Sequence, residues 1–546
     1  MSSTARSRSA DAAPKSPNWN NDSSLFTYTR GRFVFDEARQ IQQRTIRFDM
    51  NQLAQIAASS IGADHCIAVT KCPDGMYTKA YILRMNDGRE VIAKVPNPNA
   101  GVPHYTTASE VATIDFMRDV LRTPAPKVHA WSSRADDNSV GAEYIIMEKA
   151  AGEPLDKFWD HMSLSDKLDV LTQVLSYYKS WLDFPFPGYG SLYYESDAGP
   201  SSLAVPISGG GPPCKRFVIG PATGRDWYDA ERSSLECDRG PWTSALAYRT
   251  AISARERVAI DRLPPAKQML MVTGPSPELY TPTPAKKISA LAAFDRLLPR
   301  VLSTTNPLLV APHLWHDDLH GENIFVDPSN PTRITAVIDW QGVQVAPLFD
   351  HHAVRPAFLD YLFDSASASG NDAAGDDDAD LPPAAPDTSG MSDSDRAAAL
   401  KAYFDSALCI AWRLLVRNKA PALYDLEKFQ DSTEGNTLNA ARRVYEYGES
   451  LLAGLMLDLE LPKDSDDGET TVIRSEMDAE SSGINLMSQL QQQMGDDWPD
   501  KGLTVERDYN KIKAALTQAR EVLVETAYGE DEAKKEEFRK SWPFDN

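Results

Sequence analysis

Cysteine is scarce in this sequence, and the few residues present form no pattern. There are five, an odd number, and they are scattered without metal-ligand spacing (Cys66, Cys72, Cys214, Cys237 and Cys409). A disulfide framework is therefore not expected, and the thiols fit a reducing compartment.

Long apolar runs and an excess of positive charge are missing as well. No run approaches the ~18 residues that a membrane-spanning helix needs, and the best candidate, 407–416, is interrupted by Arg413. The chain has 56 Lys and Arg against 78 Asp and Glu, a formal net charge of −22. These features predict no transmembrane segment and argue against a general nucleic-acid binder.

Three segments have too few apolar residues to offset the entropy of ordering. Residues 1–22 are rich in Ser and Arg, and prolines interrupt any amphipathic helix, so disorder is favoured over a transit peptide. We predict a disordered acidic insert at 365–395 and an acidic linker at 461–485. The remaining chain then divides into an N-lobe (23–150), a C-lobe (151–460) and a helical extension (486–546).

The most informative stretch, 314–341, has polar residues in a distinctive order. His316 and Asp318 come first, Asn323 follows five positions after Asp318, and Asp339 ends an apolar run. Phosphoryl transfer from ATP requires little covalent chemistry but careful positioning and charge neutralisation. One carboxylate must orient the acceptor hydroxyl, and hard oxygen ligands must hold Mg²⁺. The order predicts Asp318 as the base and Asn323 with Asp339 as metal ligands.

The local pattern around these residues predicts a hairpin. Residues 323–327 and 334–338 are typical of short strands, and 327–331 is typical of a turn. Asn323 and Asp339 would then face the same mouth of a cleft. The alternative, turn residues that only satisfy backbone groups, does not account for the agreement of spacing and flanking strands.

The segment 316–323 resembles the catalytic loop of the aminoglycoside phosphotransferase and choline kinase group, which is related in fold to protein kinases. That group has His-Gly-Asp-Leu-His-x-x-Asn, where this chain has His-Asp-Asp-Leu-His-Gly-Glu-Asn. Asp317 is the departure, and we interpret it as solvent-facing or loop-stabilising. The resemblance implies catalytic-loop positions for His316 and His320, and His320 either contacts the γ-phosphate or braces the loop.

A second half-site is indicated near the N-terminus. Residues 91–96 resemble the kinase strand whose lysine, here Lys94, binds the α- and β-phosphates. Glu110, near the start of a helix-like pattern, matches the glutamate that pairs with this lysine. The alternative for Lys94 is a surface lysine on an edge strand.

The phosphate-covering loop, 71–79, departs most from the kinase pattern. It contains one glycine, Gly75, in place of a glycine-rich motif, and Thr78 is the candidate phosphate contact. Lys71 and Lys79 are interpreted as possible surface charges.

Residues 143–152 resemble the hinge between the two lobes of a kinase. A buried strand there runs into small residues. The resemblance implies that adenine is bound by backbone groups of Glu148, Lys149 and Ala150.

The remaining patterns concern the C-lobe and the extension. A Gly- and Pro-rich insert at 201–240 either packs over the acceptor side of the cleft or is a structural loop. A continuous helix is predicted at 505–540, and Trp542 and Phe544 could form an aromatic anchor. Other helical patterns lie at 167–181, 245–263, 288–302, 397–415 and 440–457.

Together these features predict an α+β, two-lobed protein-kinase-like fold, with an antiparallel N-lobe sheet and a mainly helical C-lobe. The segments 25–33, 107–113, 238–242, 338–341 and 542–544 are similar to those of the fungal phosphotransferase-family proteins that include altered inheritance of mitochondria protein nine. The resemblance implies ATP- and Mg²⁺-dependent transfer to a hydroxyl of an unidentified small molecule. It suggests a mitochondrial location, with a cytoplasmic location as the alternative. The alternative is a pseudokinase-type binding or regulatory protein.

Overall fold

The computed structural model describes residues 18–199, 204–207, 212–264, 282–363, 384–460, 468–542 and 544. The strands are β1 (Arg32–Phe33), β2 (Cys66–Lys71), β3 (Thr78–Met85), β4 (Glu90–Pro96), β5 (Val128–Ser132), β6 (Tyr144–Glu148), β7 (Glu153–Pro154), β8 (Ser191–Tyr194), β9 (Val205–Pro206), β10 (Phe217–Gly220), β11 (Pro312–Leu314), β12 (Ile324–Asp327), β13 (Asn330–Val337), β14 (Val345–Pro347) and β15 (Leu503–Thr504).

The α-helices of the described residues account for most of their ordered structure. They are α1 (Glu37–Arg44), α2 (Met50–Ser60), α3 (Tyr105–Asp119), α4 (Asp156–Trp159), α5 (Leu164–Leu182), α6 (Ala245–Arg262), α7 (Pro284–Thr304), α8 (Pro307–Val310), α9 (Asp393–Lys419), α10 (Pro421–Gln430), α11 (Thr433–Ala440), α12 (Val444–Tyr447), α13 (Ser450–Glu460), α14 (Gly468–Met494), α15 (Tyr509–Tyr528) and α16 (Glu532–Ser541). Over the described ranges, no helix is both long enough and apolar enough to cross a membrane.

The N-lobe is built on a five-stranded antiparallel sheet. Its strand order is β2-β3-β4-β6-β5. Side chains alternate between the two faces of a strand, so Ala93 and Val95 of β4 are buried in one core with Leu53 of α2. Lys94 lies between these two residues, so its side chain is on the opposite face of the sheet, away from that core.

Helix α3 lies between the two lobes. Every residue from 106 to 117 is buried, which is more than one apolar stripe would cover. Its apolar residues Ile114, Phe116 and Met117 belong to the large C-lobe core. The helix therefore holds Glu110 rigidly behind the sheet.

Two buried tryptophans that flank the catalytic segment anchor it in the C-lobe core. Trp315 directly precedes His316, Trp340 directly follows Asp339, and both are fully buried. Their rings lie 5.2 Å and 5.9 Å from that of Trp181. The predicted hairpin is confirmed as β12 and β13, which pair antiparallel.

The C-terminal extension folds back onto the start of the chain. Strand β15 pairs antiparallel with β1, and the guanidinium carbon of Arg32 lies 3.8 Å from the ring centroid of Tyr509. Trp542 and Phe544 are buried in the core of this extension, which confirms the predicted aromatic anchor.

Several predicted boundaries are wrong. The acidic linker at 461–485 is helical from Gly468 onward, because α14 packs along α13, where Met477 lies directly against Gly454. Within the insert 365–395, residues 364–383 lie outside the described part, but α9 already begins at Asp393, where Ser392 caps it. Of the N-terminal segment, residues 1–17 lie outside the described part, and 18–22 form a capped 3₁₀ turn.

The helical patterns locate most C-lobe helices within a few residues, with two exceptions. The pattern at 440–457 is divided among α11, α12 and α13, with Gly448 at positive φ in one break. The pattern at 505–540 is two helices, because Gly529 (φ +48°) ends α15. Both interruptions use a glycine where a left-handed backbone is needed.

Candidate active site

Lys94 joins the two lobes at the bottom of the cleft. Its Nζ lies 2.6 Å from Oε1 of Glu110 and 2.6 Å from Oδ1 of Asp339. Burial alone lowers the pKa of Lys94, but the two carboxylates outweigh it and raise the pKa above its ordinary value. The side chain is therefore a protonated ammonium group held between an N-lobe helix and the end of a C-lobe strand. The predicted Lys94–Glu110 pair is present.

Asp339 occupies a backbone conformation that is rare for a residue with a side chain. Its φ is +63°, in the left-handed region that Asp and Asn tolerate better than most residues. The preceding residue, Ile338, donates its N–H to the carbonyl of Asn323 at 3.0 Å. This bond places the two predicted metal ligands on adjacent chain segments. Desolvation raises the pKa of Asp339, but Lys94 outweighs it and keeps the carboxylate ionised.

His316 fixes the shape of the catalytic loop from inside. Its Nε2 lies 2.9 Å from the carbonyl of Ile338, and its Nδ1 accepts the backbone N–H of Asp318 at 3.3 Å. The ring is 1% exposed, and burial lowers its pKa, so it is neutral. His316 therefore connects the loop to the residue that precedes Asp339, and a catalytic role for it stays a prediction.

The other loop residues present oxygen atoms to the cleft. The Nδ2 of Asn323 donates to the carbonyl of Asp318 at 2.9 Å, and this bond does not use Oδ1, the oxygen that the prediction assigns to the metal. His320 Nε2 lies 3.1 Å from the same Nδ2 and 3.7 Å from Oδ2 of Asp318. His320 thus braces the loop. The Asp318 side chain is 73% exposed and open to an acceptor.

Asp317 does not crowd the base. It points away to His351, whose Nδ1 lies 3.1 Å from each carboxylate oxygen, and it accepts the N–H of His352 at 2.9 Å. Burial lowers the pKa of His351, but Asp317 outweighs it and raises that pKa. Of the two readings left open by the sequence, the loop-stabilising one agrees with this geometry.

In the phosphate-covering loop the lysines are held by a buried carboxylate. Asp74 accepts Lys71 Nζ at 2.7 Å and Lys79 Nζ at 2.8 Å, and it also accepts the backbone N–H of Thr29 at 2.8 Å. Lys79 is 1% exposed, so its interpretation as a surface charge is wrong. An unpaired buried carboxylate is costly, and the two lysines stabilise the charge of Asp74.

The tip of the same loop is a tight turn. Gly75 donates its N–H to the carbonyl of Thr78 at 3.2 Å, and a Cβ on Gly75 would lie 3.3 Å from Thr78 Oγ1. Thr78 is the first residue of β3. Its role as a phosphate contact stays a prediction.

At the hinge, the side chains bind other parts of the protein. Lys149 Nζ lies 2.7 Å from Glu90, and Glu148 exchanges hydrogen bonds with the backbone of Lys127 in both directions. Because the N–H of Glu148 is used, the backbone of Lys149 and Ala150 is what remains to bind adenine there. That contact stays a prediction.

The oxygen atoms at the mouth of the cleft fit a magnesium ion. Asp339 has a carboxylate with 45% side-chain exposure, and Asn323 has an amide oxygen whose nitrogen is already bonded. Magnesium typically takes one or two protein oxygens together with substrate phosphates. Among the described residues, no group of three or more His, Cys, Asp or Glu side chains is arranged to hold a metal.

Sequence reasoning missed three residues that shape this site. Asp74 carried a signal, since a carboxylate between two lysines in one short loop indicates an ion-pair cluster. His351 and Arg225 carried none, because they contact Asp317 and Tyr77 only through the fold.

Comparison with known proteins gives a family match over the same region. The model of the phosphotransferase enzyme family matches residues 68–350, more than half of the 546 residues. A subtelomeric hrmA-associated cluster protein of Aspergillus fumigatus is 36% identical over 326 residues, covering 54% of this chain and 61% of that protein. Altered inheritance of mitochondria protein 9, mitochondrial, of Yarrowia lipolytica is 26% identical over 358 residues, covering 60% and 59%. The chain therefore spans about three-fifths of the length of these curated relatives.

Solved structures with a related description also match. A thermostable mutant of aminoglycoside phosphotransferase APH(4)-Ia is 16% identical, with a TM-score of 0.32 over 71% of this chain and 98% of that chain. A putative fructosamine-3-kinase from Thermobifida fusca is 13% identical, with a TM-score of 0.33 over 79% and 99%. Scores this low support no argument about this chain.

Proposed function

The chain belongs to the phosphotransferase enzyme family, and from that premise we propose that it transfers the γ-phosphate of ATP to a hydroxyl group of a small molecule, with Mg²⁺ as cofactor. The observation that carries the proposal is the Lys94 bridge. It joins the predicted phosphate-binding lysine to both Glu110 and the predicted metal ligand Asp339, which is 245 residues away.

In the proposed reaction Asp318 is the base. Its carboxylate accepts the proton of the acceptor hydroxyl while the hydroxyl oxygen forms a bond to the γ-phosphorus and the bond to the β-phosphate oxygen breaks, releasing ADP. Lys94 would keep Glu110 and exchange Asp339 for the phosphates. Asp339 and Asn323 would hold the cofactor, which supplies positive charge against the phosphate oxygens when bound.

The test combines binding and transfer. Unfolding temperature is measured for the wild type with ATP, MgCl₂, and both together, because a ligand that binds only the folded state raises apparent stability. Radiolabelled ATP is then screened against sugars, aminoglycosides, amino alcohols and other hydroxylated molecules. Mg²⁺-dependent stabilisation together with a labelled product supports the proposal. No stabilisation at millimolar ATP overturns it.

One observation favours a second candidate, a pseudokinase-type binding protein. The lysines of the phosphate-covering loop, Lys71 and Lys79, are already bound to Asp74, so the loop offers no free lysine to a phosphate. Nucleotide binding without any labelled product, or with equal phosphate release by wild type and Asp318→Asn, would favour this candidate.

A mitochondrial location is proposed from the names of relatives alone. Fractionation of cells that express the tagged full chain tests it. Recovery with a cytosolic marker would contradict the proposal.

A further inference from the structure

One cation–π contact joins the phosphate-covering loop of the N-lobe to the C-lobe. The guanidinium carbon of Arg225 lies 3.3 Å from the ring centroid of Tyr77. Tyr77 directly precedes Thr78 in the phosphate-covering loop of the N-lobe. Arg225 belongs to the C-lobe insert, in the 3₁₀ turn Arg225–Trp227.

Tyr77 is well fixed on the N-lobe side. Its carbonyl accepts the N–H of Asn97 at 2.9 Å, and the Asn97 side chain donates to the carbonyl of Met76 at 3.2 Å. Asn97 is buried and directly follows β4. A contact that holds the Tyr77 ring therefore also holds the backbone of the loop in place.

Arg225 is equally fixed on the C-lobe side. Its Nη1 donates to the hydroxyl of Tyr228 at 2.6 Å, and its Nε donates to Oδ2 of Asp229 at 3.1 Å. The Tyr228 ring lies 4.4 Å from the same guanidinium. A planar guanidinium held in this way is already oriented to stack on an aromatic ring.

The turn that carries Arg225 packs against the segment that follows Asp339. A Cβ on Gly224 would lie 2.4 Å from Oε1 of Gln344, which shows how closely the two segments approach. The next residue, Asp226, is buried and accepts Arg442 Nε at 2.9 Å. The turn is thus held against the C-lobe at Gln344, five residues beyond Asp339.

We propose that Arg225 is a positioning residue for the nucleotide, holding the phosphate-covering loop closed over the cleft by its stack on Tyr77. The inference rests on the proposed function, because it presumes that a nucleotide lies beneath the loop. The loop lacks a glycine-rich motif, and its lysines are bound to Asp74. Its position over a phosphate group would depend on support from outside, and Arg225 supplies that support from the other lobe.

The proposal predicts a larger effect on the dissociation rate of the nucleotide than on its association rate. The stack must open before a bound nucleotide leaves, so loss of the stack speeds dissociation. A cation–π contact of this kind corresponds to a factor of roughly 2 to 30 in an equilibrium constant. We expect a dissociation rate about tenfold faster in Arg225→Leu, with an association rate that changes less than about twofold.

The experiment measures stopped-flow binding and release of mant-ADP with MgCl₂ on the full chain. Variants are Arg225→Leu, Tyr77→Leu and the double variant. Arg216→Leu is the matched control, because Arg216 also lies near an aromatic ring (Phe217, 4.7 Å) and pairs with a carboxylate, but contacts no residue of the loop. Both single variants should speed release, the double variant should add nothing further, and the control should match the wild type.

The outcomes separate the inference from the proposed function. If the wild type does not bind mant-ADP with Mg²⁺, the proposed function is overturned. If the wild type binds and both single variants release at its rate, the inference alone is overturned, as it is if their effects are simply additive. Should Arg225→Leu fail to fold, Tyr77→Leu decides by itself, since unchanged release in that variant contradicts a stack that holds the loop.

Discussion

The catalytic loop and the phosphate-covering loop, which face each other across the cleft, are held in different ways. In the catalytic loop the bonds that connect Asp318, Asn323 and the hairpin are short in sequence: Asn323 to Asp318 is five residues, and His316 to Ile338 is 22. The ion pairs that support these residues reach further, from Asp317 to His351 over 34 residues and from Asp339 to Lys94 over 245. In the phosphate-covering loop, Asp74 reaches Thr29 across 45 residues, and Tyr77 stacks on Arg225 of the other lobe.

This difference shows that the predicted catalytic residues come together through nearby segments of the sequence, whereas the loop that covers them is supported by segments far away in the sequence. A hairpin and a five-residue spacing suffice to bring the predicted base and metal ligands together. The loop above them depends on an N-terminal segment and on a C-lobe insert. Variants in the first region should therefore change the reaction, and variants in the second should change stability and nucleotide release.

The largest effect is expected for Asp318→Asn. Removing a general base costs typically 10²- to 10⁴-fold in rate, while nucleotide affinity should stay within about twofold because Asp318 contacts the acceptor. Transfer is measured as phosphate release or with an acceptor from the screen. Asp327→Asn is the matched control and should keep most of the rate, because its carboxylate binds Ser329 and Arg333 away from the cleft. Equal losses in both variants would contradict the assignment of Asp318.

Asp74→Asn tests how the phosphate-covering loop is supported. It leaves Lys79, at 1% exposure, without its charged partner, and breaking a buried ion pair costs about 3–5 kcal/mol of unfolding free energy. The measurement is urea unfolding. Asp87→Asn, in an exposed pair with Arg89, should change the unfolding free energy far less, because solvent screens an exposed pair. A loss in Asp74→Asn no greater than this control would show that the cluster does not hold the loop.

Asp339→Asn should weaken Mg²⁺-dependent nucleotide binding. It deletes an anionic oxygen ligand, and we expect an affinity loss of roughly 10- to 100-fold, or about 1.4–2.8 kcal/mol. Asn tolerates the positive φ at this position as well as Asp does, so the backbone should be preserved. Isothermal titration calorimetry with ADP at several MgCl₂ concentrations measures the loss of affinity.

A matched control for Asp339 lies at the far end of the same hairpin. Asp327→Asn changes a carboxylate that binds Ser329 and Arg333 away from the cleft, and its nucleotide affinity should equal that of the wild type. Unchanged Mg²⁺ dependence in Asp339→Asn would place the metal on other residues.

The smallest effect is a pH dependence in the brace behind the catalytic loop. The pKa of His351 is raised above 6.5 by Asp317, and that of Asp317 is held below 3.8 by His351. The pair therefore stabilises fully between these two values, and its contribution is lost as pH rises through the raised pKa of His351. Asp317 is 45% exposed, so screening limits the contribution to about 1 kcal/mol.

The measurement is the difference in unfolding temperature between the wild type and His351→Asn. The difference should be largest near about pH 6 and shrink toward about pH 9, because the pair is charged only at the lower value. A difference that is constant over this range would mean that His351 contributes by packing alone.

Much of the fold could be predicted from local patterns. The strands of the hairpin and most C-lobe helices follow from periodicity, and the terminal aromatic residues indicated the anchor at Trp542. The Lys94–Glu110 pair follows from the resemblance to the kinase strand and its helix. Where prediction failed, the cause was packing at a distance. The segment 468–485 is too polar to predict a helix, but α13 supplies an apolar surface that stabilises one.

The sequence by itself determined which atoms are available for chemistry: a base, an amide and carboxylate oxygens, and one lysine, at separations that a hairpin and a helix convert into proximity. Only the tertiary structure decided how these atoms are supported. It directed Asp317 to His351, enclosed Asp74 between two lysines and placed Arg225 against Tyr77. The physical reason is that hydrogen bonds and periodicity act over a few residues, whereas burial of a charge or a ring depends on every segment that the fold brings to it.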